Sequence, residues 1–139
     1  MELSKLSEAV DNEQILGSPT VLIIDDDKFV CESLEFALQF MGCQTLSAMS
    51  GQTGLELYKD YSASIDLVLL DYYMPGMNGE QTFHKLVQLN PDLRCIFSSG
   101  LKIDLNSETL SAPLTHVDFL YKPYDLKLLK AKINDLLAN

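Results

Sequence analysis

The stretch Thr20-Val-Leu-Ile-Ile-Asp-Asp-Asp27 decides the fold. Its first five residues are β-branched or apolar, and three aspartates follow them directly. This pattern is typical of a buried parallel strand that is followed at its carboxyl end by a polar loop. A second stretch of this kind, Ile65-Asp-Leu-Val-Leu-Leu-Asp71, also ends in an acid. Shorter apolar stretches at residues 43–48, 93–98 and 117–121 predict three further strands.

Amphipathic helices are predicted between these strands. Apolar residues recur with helical spacing from Val30 to Met41, and Gly42 then provides a C-cap. Further helices are predicted to begin after Ser50, to end before Pro91, and to begin after Asp125. A strand followed by a helix, repeated about five times, predicts an α/β fold with a parallel sheet.

Composition limits the possible functions. With 139 residues, of which 47% are hydrophobic, the chain can form one domain with a substantial core. Its net charge of −10 argues against direct binding to nucleic acid or to an anionic membrane. Three widely spaced cysteines suggest neither a disulfide framework nor a zinc site. Because no apolar run approaches the length of a membrane span, we expect a cytoplasmic protein without membrane insertion.

The first 18 residues lie outside the alternating pattern of strands and helices. Leu3, Leu6 and Val10 could line one side of a short helix, although a tail fits better. We therefore assign residues 1–18 to an N-terminal tail or short helix and residues 19–139 to the domain.

Polar side chains occupy the carboxyl ends of four predicted strands, which is the edge where open α/β sheets bind ligands. Converging carboxylates repel one another, so they either raise a pKa or recruit a cation, and Mg²⁺ suits oxygen ligands of this kind. A hydroxyl and an ammonium nearby could hold phosphoryl oxygens. The residues alone thus predict a Mg²⁺-assisted phosphoryl site built from Asp25, Asp26, Asp71, Ser98 or Ser99, and Lys122.

Each of these signals also has a simpler structural interpretation. An aspartate after a strand, such as Asp27, is often a helix N-cap. Lys122-Pro123 could be an ordinary turn, and the serine pair could simply end a strand. Their joint placement at one edge of the sheet favours the shared site.

The chain resembles the receiver domain of bacterial two-component response regulators, the CheY-like superfamily. The matching motifs are Val21-Leu-Ile-Ile-Asp-Asp-Asp27, Leu67-Val-Leu-Leu-Asp-Tyr-Tyr-Met-Pro-Gly-Met-Asn-Gly79, Ile96-Phe-Ser-Ser-Gly100 and Phe119-Leu-Tyr-Lys-Pro-Tyr124. They extend from about Thr20 to the C-terminus, and the second motif is the most specific. The resemblance implies a doubly wound, flavodoxin-like (βα)5 fold with a five-stranded parallel sheet in the order 2-1-3-4-5.

The resemblance also implies a phosphoacceptor. Asp71 would accept a phosphoryl group from a sensor histidine kinase or a histidine phosphotransfer protein. The cofactor would be Mg²⁺ or Mn²⁺, held by Asp25, Asp26, Asp71 and the backbone carbonyl of Tyr73.

Further roles are implied for the residues around this acceptor. Ser99 would bond a phosphoryl oxygen, Gly100 would leave room for the group, and Lys122 would pair with its oxygens. The bond before Pro123 is often cis in the family. Phe119 matches an aromatic switch residue that responds to movement of Ser99, although an ordinary core aromatic is the alternative.

Two departures from the family pattern stand out. Residues 101–116 match poorly, and Pro113 should shorten or displace any helix there. Tyr73 is bulkier than many family members carry at its position, and Leu101 is apolar. We hypothesise that Tyr73 and Leu101 shield an acyl phosphate from hydrolysis.

The resulting function is a signalling module rather than an enzyme, with self-phosphotransfer and autodephosphorylation as its own chemistry and an unknown downstream protein as its output. The alternatives are an aspartyl-phosphate phosphatase or phosphotransferase that uses Asp25 and Asp27, and an unphosphorylated docking module. A flavin-binding protein is disfavoured because three aspartates would repel the cofactor's phosphate.

Overall fold

The computed structural model describes residues 14–103 and 116–138. Within these ranges strands and helices alternate as predicted up to the fourth strand. The elements are β1 (Thr20–Ile24), α1 (Lys28–Phe40), β2 (Gln44–Ala48), α2 (Gly51–Tyr61), β3 (Ile65–Asp71), α3 (Gly79–Leu89), β4 (Cys95–Ser99), β5 (Val117–Tyr121) and α4 (Leu126–Ala138). Most of the poorly matching segment 101–116, including Pro113, lies outside the described residues.

The five strands form one parallel sheet in the order β2-β1-β3-β4-β5. This confirms both the α/β class and the strand order that the resemblance implied. β1 and β3 are central, and residues 21–24 of β1 are fully buried. Burial on both faces explains why this strand is a continuous apolar run rather than an alternating one.

Two apolar clusters cover the two faces of the sheet. Ile23 and Leu69 face the cluster built with α1 and α4, whereas Leu22 and Leu70 face the cluster built with α2 and α3. Adjacent residues of one strand point to opposite faces. This alternation fixes the register of β1 against β3, so that Asp25 after β1 and Asp71 at the end of β3 reach the same edge.

Side-chain caps define where the helices begin. Asp27 accepts hydrogen bonds from the backbone amides of Phe29 and Val30 at the start of α1. Ser50 caps α2, and Asn78 forms a reciprocal capping box with Gln81 at the start of α3. The predicted helix starts after Ser50 and near Asp27 are therefore confirmed. Gly42, with φ +98°, follows α1 in the left-handed conformation expected of a C-cap glycine.

Residues 14 and 15, which precede β1, form hydrogen bonds with the C-terminal end of α1. Ile15 is 3% exposed, and its backbone amide donates to Met41 O at 2.8 Å. Gln14 Nε2 donates to Phe40 O at 3.0 Å. These bonds satisfy carbonyls that a helix C-terminus leaves unpaired. Ile15, within the predicted tail, thus belongs to the core, and residues 1–13 lie outside the described part.

Across the described ranges, no helix combines the length and the apolar character needed to cross a lipid bilayer.

Gly79 stands where α3 begins against the end of β3. A Cβ there would lie 2.5 Å from Asp71 O and 2.6 Å from Tyr72 Cα. We expect Gly79→Ala to lower the free energy of unfolding by about 1–3 kcal/mol, because the β3–α3 loop must move to admit the methyl group. Urea denaturation measures the change. Gly100→Ala is the matched control, since its Cβ would meet nothing within 4 Å; equal stability of the two variants would contradict the prediction.

Candidate functional site

The candidate site lies at the carboxyl edge of the sheet. Asp25 directly follows β1, Asp71 ends β3, Ser99 ends β4, and Lys122 directly follows β5. Because parallel strands all end at this edge, four distant parts of the sequence are brought together. The site is largely buried, because Asp25, Asp71 and Ser99 are only 1%, 4% and 0% exposed.

Three of the aspartates form one cluster. Asp25, Asp26 and Asp71 each offer a carboxylate oxygen, and these oxygens lie within 4.8 Å of one another. Asp27 is not part of this group, because its side chain caps α1. Its N-cap interpretation is confirmed. A compact set of carboxylate oxygens, with Asp26 still open to solvent, suits a hard divalent cation that keeps several waters. The acidic triad can therefore bind a metal ion.

Lys122 bridges the two buried carboxylates. Its Nζ donates to Asp25 Oδ2 at 3.0 Å and lies 3.6 Å from Asp71 Oδ2. Asp25 Oδ1 accepts the backbone amide of Asp27 at 2.9 Å, so both Asp25 oxygens are engaged. Burial opposes the charge of Lys122, but the hydrogen bond to Asp25 and the surrounding negative charge raise its pKa above the ordinary value. The Lys122–Pro123 peptide bond is cis.

Asp71 carries an unfavourable charge in the absence of a cation. Burial, and secondly the charge of Asp25, raise its pKa from 3.8 to about 7. Lys122 and the backbone amide of Tyr73 oppose this rise, whereas a hydrogen bond with Asp26 adds to it. One lysine thus does not neutralise the two buried acids, and a bound cation would relieve the remaining repulsion.

The other predicted site residues lie at or just after the ends of β3 and β4. Ser99 Oγ accepts the backbone amide of Leu101 at 2.9 Å. Gly100 leaves open space where a side chain would stand. Tyr73 and Leu101 are 50% and 64% exposed, and the Tyr73 ring meets the Tyr72 ring edge-on at 4.9 Å. The role of the Tyr73 carbonyl as a metal ligand stays a prediction.

Phe119 lies on β5 at the edge of the sheet. Its side chain is 40% exposed, so the alternative of an ordinary core aromatic is wrong. The ring meets Tyr121 edge-on at 5.6 Å, and Lys132 Nζ lies 5.9 Å from its centroid. An exposed aromatic at a sheet edge has room to repack, whereas a core aromatic does not.

Sequence reasoning named Ser98 only as an alternative to Ser99, and it missed Tyr124. Ser98 is 1% exposed, and the Tyr124 hydroxyl is buried beside it. Ser98 could be interpreted simply as the end of a strand, and Tyr124 was only the last residue of the motif at residues 119–124. The available signal was a hydroxyl directly before Ser99 and another two residues after Lys122.

The comparisons with known proteins agree with this geometry. The sequence profile of the response regulator receiver domain matches residues 21–134. The chemotaxis protein CheY of Treponema pallidum is 31% identical over 124 residues, which cover 87% of this chain and 85% of that protein. The sensor kinase CckA of Brucella abortus is 33% identical over 133 residues, or 96% of this chain.

Some relatives are much longer than this chain. It spans 14% of the CckA sensor kinase and 31% of a cyclic di-GMP phosphodiesterase of Thermotoga maritima.

Solved structures show the same fold. A receiver domain protein from Clostridium thermocellum superposes with a TM-score of 0.77 at 24% identity, covering 86% of this chain and 94% of that one. CheY of Borrelia burgdorferi, in a complex with CheX, BeF3 and Mg²⁺, has a TM-score of 0.74 at 25% identity, covering 83% and 86%.

The raised pKa of Asp71 predicts a pH-dependent stability difference. A carboxyl group with a raised pKa in the folded state stabilises the fold below its ordinary pKa and loses that contribution as pH rises through about 7. Asp71→Asn is neutral at every pH. In EDTA near pH 8 we expect it to exceed the wild type in free energy of unfolding by at least about 1.4 kcal/mol, the equivalent of one pKa unit.

The difference in free energy of unfolding between Asp71→Asn and the wild type should shrink towards zero near pH 4, where Asp71 is protonated in the folded protein. Urea denaturation across this pH range measures it. Asp60→Asn, which removes an exposed carboxylate on α2, is the control and should show a small offset at every pH. A less stable Asp71→Asn variant at pH 8 would refute the buried-charge argument.

Proposed function

Because the chain belongs to the response regulator receiver family, we propose that it is a Mg²⁺-dependent phosphoacceptor that receives a phosphoryl group on Asp71. The donor is the phosphohistidine of a sensor histidine kinase or of a histidine phosphotransfer protein, as the two-component context implies. The observation that carries the proposal is the buried, partly uncompensated Asp71 carboxylate within the acidic triad, 3.6 Å from the Lys122 ammonium.

In the transfer step, a carboxylate oxygen of Asp71 attacks the phosphorus atom. The new O–P bond forms as the P–N bond to the donor imidazole breaks, and the imidazole leaves with the electron pair of that bond. The products are an acyl phosphate on Asp71 and an unphosphorylated donor histidine. Mg²⁺ at Asp25, Asp26 and Asp71 would neutralise the charge of the carboxylates and of the phosphoryl oxygens. The solved CheY complex with BeF3 and Mg²⁺ supports this choice of metal.

We expect Lys122 and Ser99 to hold the transferred group. The ammonium of Lys122 already lies beside Asp71, so phosphoryl oxygens added there come within its reach. The Ser99 hydroxyl is buried at the end of the neighbouring strand, and Gly100 leaves space beside it. Both residues therefore stabilise charge on the phosphoryl group without taking part in bond breaking.

Phosphorylation then becomes a signal through packing and contact. New hydrogen bonds draw Ser99 and its loop towards Asp71, and Phe119 repacks in response. The output passes to a downstream protein, and the chain's own chemistry is limited to accepting the group and releasing it by hydrolysis.

The phosphatase alternative requires Asp27 as its acid/base residue, with the Asp27 side chain facing the substrate beside Asp25. Asp27 instead accepts two backbone amides at the start of α1. The receiver chemistry has no such requirement.

Acetyl phosphate tests phosphoacceptance directly. With Mg²⁺, we expect intact mass spectrometry to show one phosphate on the wild type, none on Asp71→Asn, and none in EDTA. Asp27→Asn is the matched control, because asparagine preserves the cap and the acceptor is untouched. If the wild type accepts no phosphate from acetyl phosphate or from a panel of phosphorylated kinases, the docking module becomes the better explanation.

Tyr73 is expected to prolong the life of the acyl phosphate. We predict that Tyr73→Asn, which removes the aromatic ring two residues after Asp71, admits water and shortens the phosphoryl lifetime by about threefold or more, a barrier change of about 0.7 kcal/mol. The decay of the phosphorylated mass gives the lifetime. Tyr61→Asn, at a similarly exposed tyrosine on α2, is the control. Equal lifetimes for wild type and Tyr73→Asn would remove the shielding hypothesis.

A further inference from the structure

Tyr72 joins the two ends of the β3–α3 loop. It is the first residue of this loop, residues 72–78, and its hydroxyl donates a hydrogen bond to Glu80 Oε2 at 3.0 Å, in the first turn of α3. Its backbone carbonyl accepts the amide of Gly79 at 2.9 Å. A side-chain bond and a backbone bond thus connect the same residue to the start of α3.

The hydroxyl of Tyr72 is not required for packing. The half-buried ring lies against the apolar cluster that α2 and α3 cover, and it meets the Phe97 ring edge-on at 5.7 Å. A phenylalanine would make the same ring contacts. Glu80 has a separate reason for its place, because an acid in the first turn of a helix is favourable. What only the Tyr72 hydroxyl adds is the bond between the two side chains.

The phenol is the donor in this bond. Burial, and secondly the hydrogen bond to Glu80, raise the pKa of Tyr72 to about 12. The hydroxyl therefore keeps its proton at neutral pH, and a carboxylate oxygen accepts it. A hydrogen bond with a charged acceptor is stronger than one between neutral groups.

The backbone of Tyr72 lies between two groups that are proposed to bind the cation. Asp71 directly precedes it, and Tyr73 directly follows it. The amide of Tyr72 donates to Ser98 O at 2.9 Å, so β4 holds one peptide unit of Tyr72 and α3 holds the other. Because peptide units are planar, these bonds set the direction in which the chain leaves Asp71 and enters Tyr73.

The side chain of Tyr72 extends this restraint to Tyr73. The Tyr72 ring, which is bonded to Glu80 at its hydroxyl, meets the Tyr73 ring edge-on at 4.9 Å. Loss of the hydroxyl bond would free the Tyr72 ring to tilt away from α3. The ring of Tyr73 would then lose a fixed neighbour, and the loop would lose one of its two connections to the helix.

We infer that Tyr72 is a positioning residue for the cation: its hydrogen bond to Glu80 holds the β3–α3 loop in the shape in which Asp71 and Tyr73 bind Mg²⁺. The inference rests on the proposed function. It adds to the site two side chains that act through the loop rather than as metal ligands.

A titration with Mg²⁺ alone tests the inference. Near pH 8 and at constant ionic strength, the amide NMR chemical shifts of residues 71–73 give the Kd of each variant at one temperature. We expect Tyr72→Phe to weaken Mg²⁺ binding by about fivefold, less than the tenfold or more that follows loss of a direct partner of a metal ligand. Urea denaturation of the same variants separates this effect from a loss of stability.

Two variants of Glu80 separate the hydrogen bond from the charge. Glu80→Gln retains an oxygen that can accept the bond, so we expect its Kd to stay within about twofold of the wild type, the remainder being a screened charge effect. Glu80→Ala should weaken binding as Tyr72→Phe does. The double variant of Tyr72→Phe and Glu80→Ala should be no weaker than Glu80→Ala, because both changes remove the same bond.

Tyr58→Phe is the matched control. It also removes a tyrosine hydroxyl with a hydrogen-bond partner, Asn90 Nδ2 at 3.0 Å, but this bond lies just beyond the C-terminal end of α3. We expect Tyr58→Phe to lose stability, as Tyr72→Phe does, and to keep the wild-type Kd for Mg²⁺.

Three results would overturn the inference. The first is an unchanged Kd in Tyr72→Phe, which would make the bond a stabilising contact of α3 alone. The second is an equal weakening in Glu80→Gln and Glu80→Ala, which would assign the effect to charge. The third is a similar weakening in Tyr58→Phe, which would make it a general effect of stability. A wild type whose spectrum does not respond to Mg²⁺ would instead reject the proposed function, and this inference with it.

Discussion

The repulsion between Asp25 and Asp71 is the constraint on which the site depends. The sheet order makes β1 and β3 neighbours, and the register brings both acids to one edge. Apolar packing on both faces then buries them, and burial raises the pKa of Asp71 to about 7. The free energy of apolar packing thus offsets the unfavourable burial of two neighbouring carboxylates. A cation bound at this site would relieve that repulsion.

Much of this arrangement could be predicted because it depends on local patterns. A continuous apolar run identifies a strand buried on both faces, and the residue after such a strand must lie at the ligand-binding edge. The roles of Asp25, Asp26 and Asp27 were harder to separate, because three identical side chains follow one strand. Backbone geometry assigns Asp27 to the helix cap and leaves Asp25 and Asp26 in the cluster with Asp71.

Other features depend on contacts that no local pattern records. Ile15 is buried because the C-terminus of α1 lies across the chain there, and Phe119 is exposed because β5 is an edge strand. These are properties of the assembled domain, so the sequence could place the residues in the right elements but could not describe their environments.

The bonds from Gln14 and Ile15 to the end of α1 have a mechanical consequence. The helix has 13 residues and is thus a rod about 20 Å long. One end begins directly beside the acidic triad, and the other is fastened to the chain that leads into β1. A displacement of the first turn of α1 would therefore also move the end of the helix to which Gln14 and Ile15 are bonded. The helix therefore connects the acidic triad mechanically to the segment that enters β1.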